Sequence, residues 1–228
     1  MGCLLVRDNS GNVVETFSDP MINGPWDMTD SEDGAHLLVT NVLNGTVAAN
    51  GAVANQGAIL RIDLAVSRAR MPQIKSITGI ASGFSERTDP AALVIGPTGV
   101  GLSPACRVED ENDRALYVAD SLNNRIAAIL NPLQRTHLAG TGLTVSTGGS
   151  LNDPVGLTVA PEGQILVVNG NDGFITEITP RRKQLAKMLL DNTGGPPPGN
   201  GTLFGVTFDP QRGVLFVDDG SKTLNSLN

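Results

Sequence analysis

Three segments of this chain are written to one pattern: "HLLVTNVLNGTV" at 36–47, "LYVADSLNNRI" at 116–126 and "ILVVNGNDGFI" at 165–175. Each is an aliphatic run, an Asn or Asp, a polar turn and a second aliphatic run. Aligned without gaps, Leu37, Leu116 and Ile165 coincide, as do Val39, Val118 and Val167. Asn41, Asp120 and Asn169 follow, then Val47, Ile126 and Ile175. A fourth copy, "VLFVDDGSKTL" at 214–224, puts Asp218 or Asp219 in the Asn/Asp column. Short β-branched runs broken by Asn, Asp and Gly are hairpins. Their recurrence says that one supersecondary unit is being copied.

A second line precedes each hairpin: "GPWDMTD" at 24–30, "GPTGVGL" at 96–102, "DPVGLTV" at 153–159 and "LFGVTFD" at 203–209. Counted from the proline, or from Leu203 in the last copy, its third place holds Gly99, Gly156 and Gly205, with Asp27 in the first copy. An outer segment follows three of the hairpins: "KSITGIAS" at 75–82, "RTHLAGT" at 135–141 and "RKQLAKMLLD" at 182–191. A unit is thus four short strands. One such sheet cannot cover both its faces, whereas blades packed face to face around an axis can. The expected fold is all-β: a β-propeller of four-stranded antiparallel blades with negligible helix. Glycine suits the inner strand, where backbones crowd the axis.

Strand counting gives an outer hairpin over 1–19, without an inner pair, then repeats at about 20–82, 83–141, 142–191 and 192–228. About four blades are visible and the set reads as incomplete. Uncovered blade faces would then favour self-association. The start "MGCLLVRDNSGNVV" has no basic segment leading into a long apolar one, and Val6 breaks the myristoylation pattern. It reads as not the natural beginning of the fold. A missing N-terminal segment would favour a periplasmic or secreted location.

"GPTGVGLS" and "LYVADSLNNRIAAI" carry Pro-x-Gly, Val-Ala-Asp and Asn-x-Arg-Ile elements, in which the chain resembles NHL-repeat β-propellers. The other copies are degenerate, with "FITEI" and "TLNSL" where Arg-Ile would stand. The resemblance implies a fold and no particular activity, since propellers host many. A more distant resemblance is to gluconolactonase-type propellers, which hold a divalent cation through carboxylate and Asn side chains in a Pro-[Asn/Asp]-Gly context. Here Trp26, Thr98, Val155 and Phe204 occupy that position. That metal motif is therefore absent from the visible blades.

The net charge of −7 and the absence of a basic stripe argue against nucleic acid. No apolar run reaches the length of a membrane helix. Cys3 and Cys106 lie in no metal-ligand spacing and read as unpaired thiols. His36 and His137 fall on different parts of a blade, which disfavours a zinc site or a Ser-His-Asp triad.

In a propeller, the loops between blades and the turns between second and third strands share one face. The long loops at about 79–95, 139–153 and 191–202 place the pocket there. "SGFSERTDP" at 82–90 is the best equipped of them. Glu86 or Asp89 would activate a water and Arg87 would hold a carboxylate or an oxyanion. The competing reading is a solvated turn. Asn41, Asp120, Asn169 and Asp219 (or Asp218), with Asp27, supply oxygen ligands for Ca²⁺. The competing reading is that each caps its own turn. Asp27 stands apart because it replaces a Gly. Two functions follow: a metal-assisted hydrolase of small lactones or esters, or a non-catalytic scaffold binding a protein or glycan.

Overall fold

A computed structural model describes residues 2–67, 70–90, 92–105 and 114–227, so Cys106 lies outside the described residues. The hairpin β1 (Leu4–Arg7) and β2 (Val13–Phe17) comes first. Blade 1 holds β3 (Pro25–Asp30), β4 (His36–Asn41), β5 (Ala54–Ser67), β6 (Arg70–Asp89) and β7 (Leu93–Ile95). Blade 2 holds β8 (Pro97–Leu102), β9 (Ala115–Asp120), β10 (Arg125–Leu130) and β11 (Leu143–Thr147). Blade 3 holds β12 (Pro154–Val159), β13 (Ile165–Asn169), β14 (Phe174–Ile178) and β15 (Gln184–Leu189). Blade 4 holds β16 (Leu203–Asp209), β17 (Gly213–Asp218) and β18 (Thr223–Leu227). All pairings are antiparallel, and the four blades form a β-propeller. The described residues contain no α-helix, only a 3-10 turn at Ser121–Asn123.

The repeat is real at the level of register. Pro25 lies opposite Asn41, Pro97 opposite Asp120, Pro154 opposite Asn169 and Leu203 opposite Asp218. In every blade the ladder is then interrupted for two residues and resumes at Met28, Val100, Leu157 or Val206. The x-Gly step of the motif is this bulge, which re-aims the backbone toward the axis. Gly99 and Gly156 are required there. A Cβ on Gly99 would run into the Val155 carbonyl and the Leu157 amide, and one on Gly156 into the Phe204 carbonyl.

Three expectations are corrected. The first hairpin does not align with the others without a gap, because residues 44–53 form a turn-rich insertion between β4 and β5. Val47 is exposed within it, and Ala58 is the residue opposite Asn41. The segment 135–141 is not an outer strand; β11 takes that role. Instead the Ala139 amide donates to Ile80 and the Ser82 amide to Gly140, so the segment is tied to blade 1. Lastly, 82–89 is the end of β6 rather than a loop, with Arg87, Thr88 and Asp89 paired to Ile95, Val94 and Leu93.

Successive blade faces bury one apolar layer each. Leu4 and Phe17 of the hairpin meet Val39, Leu60 and Ile62 of blade 1. Ile59, Ile80 and Phe84 meet Val118 and Ile129 of blade 2. Tyr117 and Ile126 meet Ile165 and Ile178 of blade 3, and Val168 and Ile175 meet Leu203 and Phe216 of blade 4. Each fully buried aliphatic side chain in such a layer contributes roughly 1.5–3 kcal/mol, so the blades hold one another rather than standing alone. The inner strands pack in series, β3 on β8, β8 on β12 and β12 on β16. Between β16 and β3 lies a cavity of about 230 Å³, lined by Trp26, Asp27, Val155, Gly156, Phe204, Gly205 and Val206.

Candidate functional site

The loop face carries a cavity of about 390 Å³. Arg87 and Asp89 reach it from the β6–β7 hairpin, Asn124 from the turn before β10, Asp153 from the loop before β12, Asn171 from the turn before β14 and Asn200 from the loop before β16. Inter-blade segments and second-to-third-strand turns thus converge, as the repeat implied.

Asp153 is the best-defined acid in this cavity. Its φ of 57° is left-handed, a conformation Asp tolerates better than most residues. Both of its backbone groups are fixed: the amide donates to Asn124 Oδ1 at 2.6 Å and the carbonyl accepts the Gly170 amide at 2.7 Å. The side chain is thereby committed to the cavity. Burial, then the negative charge of Asp89, pushes its carboxyl up to about 6, with Arg87 acting in the opposite direction. Arg87 is ion-paired to Asp89, Nη2 to Oδ2 at 3.1 Å, and donates through Nη1 to the Thr88 carbonyl at 3.0 Å. One acid near neutrality and one positioned guanidinium therefore face the same space.

Sequence reasoning missed Asp153, although a signal existed. Gly24 and Gly96 precede the motif proline in blades 1 and 2, and Asp153 holds that place in blade 3. A carboxylate in a glycine column is the same irregularity that singled out Asp27.

Of the residues expected to be catalytic, Arg87 and Asp89 line the cavity and Glu86 does not. Glu86 alternates inward with Phe84 and is fully buried. The Thr46 hydroxyl and Asn44 amide lie beside it and draw its pKa down against the larger effect of burial, but Thr46 donates to the Val42 carbonyl at 2.9 Å. Neither Glu86 oxygen has a well-formed hydrogen bond. Burial pushes its carboxyl up to about 7.

The expected calcium ligands are not brought together. Asn41 Nδ2 donates to the Met21 carbonyl at 2.7 Å and its Oδ1 accepts the Asn23 amide at 3.2 Å. Asp120, fully buried, accepts from Arg125 at 2.7 Å and Asn123 at 2.9 Å. Asn169 donates to Ser150 and Asp172 at 2.8 and 2.9 Å. Register places Asp218, which accepts the Ser221 amide at 3.0 Å, in this column; Asp219 is exposed one position beyond. These residues fasten turns, one per blade. Asp27 sits on the axis, its oxygens accepting the Met28 amide at 2.8 Å and the Val100 amide at 3.0 Å, with burial still raising its pKa. No three His, Cys, Asp or Glu among the described residues are grouped to hold a metal. At the cavity, Asp89 is engaged by a guanidinium. The donor set does not fit a dedicated divalent site.

No family model matches the chain, and no curated protein matches it either. Solved structures do. A calcium-binding protein, regucalcin, from Agrobacterium tumefaciens aligns with a TM-score of 0.54 and 15% identity, covering 84% of this chain and 52% of that one. A gluconolactonase from Xanthomonas campestris aligns at 0.54 and 18%, covering 98% and 61%. A virginiamycin B lyase from Staphylococcus aureus aligns at 0.53 and 14%, covering 99% and 74%. The chain spans about half the length of the regucalcin and three-fifths of that gluconolactonase. The likeness is one of fold: these are β-propellers of the gluconolactonase and virginiamycin B lyase kinds.

Proposed function

We propose that the chain is a hydrolase of small lactones or esters, acting in the loop-face cavity. The observation that carries this reading is the pairing of Asp153, its carboxyl raised to about 6, with Arg87 in one recess. An acid of that strength is ionised at neutral pH yet still basic enough to take a proton from water. Asp153 removes a proton as the water oxygen bonds to the carbonyl carbon. The resulting oxyanion is stabilised by the Arg87 guanidinium, a fixed charge in a partly dry site. Collapse breaks the acyl C–O bond, and the proton on Asp153 passes to the departing alkoxide. A lactone thus gives a hydroxy acid, and an ester an acid and an alcohol. Asp89 orients Arg87 and sets the basicity of Asp153. Similarity of fold to lactonases is consistent with this chemistry. Calcium enters none of these steps, because the residues present do not fit it.

The test is a panel of small lactones and esters. The expected result is measurable turnover that falls about 10²–10⁴-fold in Asp153→Asn, the usual weight of a general base. Turnover unchanged in that variant would sink the mechanism. A panel without turnover, with retained binding of a protein or glycan, would put the scaffold reading ahead.

A further inference from the structure

Asn is followed by Gly at five places: Asn23, Asn44, Asn50, Asn169 and Asn200. Such a pair can react with itself. The glycine amide nitrogen attacks the Asn side-chain carbonyl carbon, and glycine, lacking a Cβ, leaves that approach open. The fold decides which of the five is able to do so. The reaction needs a glycine amide that donates to no carbonyl, an Asn side chain that nothing holds and room for the intervening peptide to turn.

Two pairs fail on the amide. The Gly170 amide donates to the Asp153 carbonyl at 2.7 Å, and the Gly201 amide to the Gly170 carbonyl at 2.7 Å. A nitrogen committed in this way is held in place and is harder to deprotonate. Their side chains are tied as well. Asn169 is buried and donates to Ser150 and Asp172, and Asn200 donates to the Pro196 carbonyl at 3.3 Å. The two pairs at 23 and 44 fail on the side chain. Asn23 Nδ2 donates to the Leu43 carbonyl at 3.0 Å and to Asn44 Oδ1 at 3.1 Å, which engages both residues. Their glycines are also packed, Gly24 against the Leu43 side chain and Gly45 against that of Gln56.

Asn50 meets all three conditions. It lies in the insertion at 44–53, is exposed and has a left-handed φ of 47°. Among the described residues, neither its side chain nor the Gly51 amide makes a hydrogen bond. The turn is fastened on either side instead, by the Asn50 amide to the Val47 carbonyl at 3.3 Å and the Ala52 amide to Ala49 at 3.0 Å. A Cβ on Gly51 would meet only Thr88 Oγ1, at 3.9 Å, so the peptide between them has open space around it.

We propose that Asn50 is a site of self-modification, converted by deamidation while the protein stays folded. The Gly51 nitrogen bonds to Asn50 Cγ, the Cγ–Nδ2 bond breaks, and Nδ2 leaves as ammonia with the amide proton, closing a cyclic imide. Water then opens the imide, and the Gly51 nitrogen regains a proton from it. Addition of water at Cγ leaves aspartate; addition at the Asn50 main-chain carbonyl leaves isoaspartate, with the chain continuing through the side-chain carbonyl. Either product adds a negative charge to the insertion that lies against Thr88 of the β6–β7 hairpin. This assignment is independent of the hydrolase reading.

The experiment is peptide mapping by mass spectrometry after ageing the protein in mildly alkaline buffer made with heavy-oxygen water, once folded and once in urea. In urea the fold no longer sorts the five pairs, and they should convert at similar rates. In the folded protein the peptide carrying Asn50 should take up heavy oxygen about tenfold or more faster than the peptides carrying Asn169 and Asn200. Asn50→Gln should lose that uptake. A folded protein in which Asn50 converts no faster than the other four would overturn the proposal. So would a lead for Asn50 that persists unchanged in urea, since it would then owe nothing to the fold.

Discussion

The Asp27 carboxylate crosses the boundary between blades 1 and 2 to accept the Val100 amide at 3.0 Å. Its other oxygen takes the Met28 amide at 2.8 Å. Asp27 thus stands in a glycine column yet does the work of a backbone partner, satisfying the Val100 amide of β8, the strand at the inner edge of blade 2. Asp27→Gly should leave the Val100 amide unpaired and destabilise the fold by about 1–3 kcal/mol, the cost of an orphaned buried donor. Chemical denaturation checks this. Calcium should change the melting temperatures of wild type and Asp27→Asn by the same amount, and a larger response in the wild type would restore Asp27 as a ligand.

Asp120 and Arg125 make the repeat's most strongly tied turn. The carboxylate is fully buried and takes Nε and Nη2 of Arg125 at 2.9 and 2.7 Å, while Arg125 also donates to Thr141. Asp120→Ala would strand a largely buried guanidinium. The expected loss is about 3–5 kcal/mol, as for other broken buried pairs. Turnover per folded molecule should be unchanged, which distinguishes a turn clamp from a ligand in the cavity.

The pattern that was legible in the sequence is the one dictated by main-chain geometry. Aliphatic alternation, the Asn/Asp at the end of each second strand and the Pro-x-Gly bulge recur because every blade faces the same crowded axis. What was illegible depended on single residues that break the pattern. Glu86 occupies an inward slot after Phe84, so the end of β6 looked like a charged loop. The insertion at 44–53 carries Val47 in a position that mimics a strand residue. Two adjacent aspartates, Asp218 and Asp219, left the last register open until pairing with Leu203 fixed it. The cavity's general location followed from topology, but Asp153 did not, because its raised pKa comes from burial and then from Asp89, a residue of another blade far away in sequence.

Glu86 should make stability depend on pH. Its carboxyl is fully buried, packed near Val42 and Gly96, with the Asn44 amide and Thr46 hydroxyl as its nearest polar neighbours. The folded pKa of about 7 lies above the value for an exposed Glu, so the folded state holds the proton more tightly. Its contribution is fully present below about pH 4.3 and is lost as pH rises to about 7. Glu86→Gln keeps the shape and removes the ionisation. Urea denaturation at pH 8 should find the variant more stable by about 1–3 kcal/mol, with little difference at pH 5. Parallel pH profiles for the two proteins would mean that Glu86 finds adequate partners when charged.

The pH dependence of turnover should follow the charges around Asp153. A general base works when ionised, so kcat/KM should rise with pH and level off above about 6. Asp89 raises the pKa of Asp153 and Arg87 lowers it. Asp89→Asn removes a negative neighbour, so the inflection should move to lower pH. Arg87→Gln removes a positive one, so the inflection should move to higher pH while the plateau falls through loss of oxyanion stabilisation. The opposite signs matter because a merely structural role for the Arg87–Asp89 pair, joined at 3.1 Å, would damage both variants alike. Carbon-detected NMR titration of the Asp153 carboxyl should reproduce the same two shifts without substrate. Inflections that move together, or not at all, would remove Asp153 from the role of base.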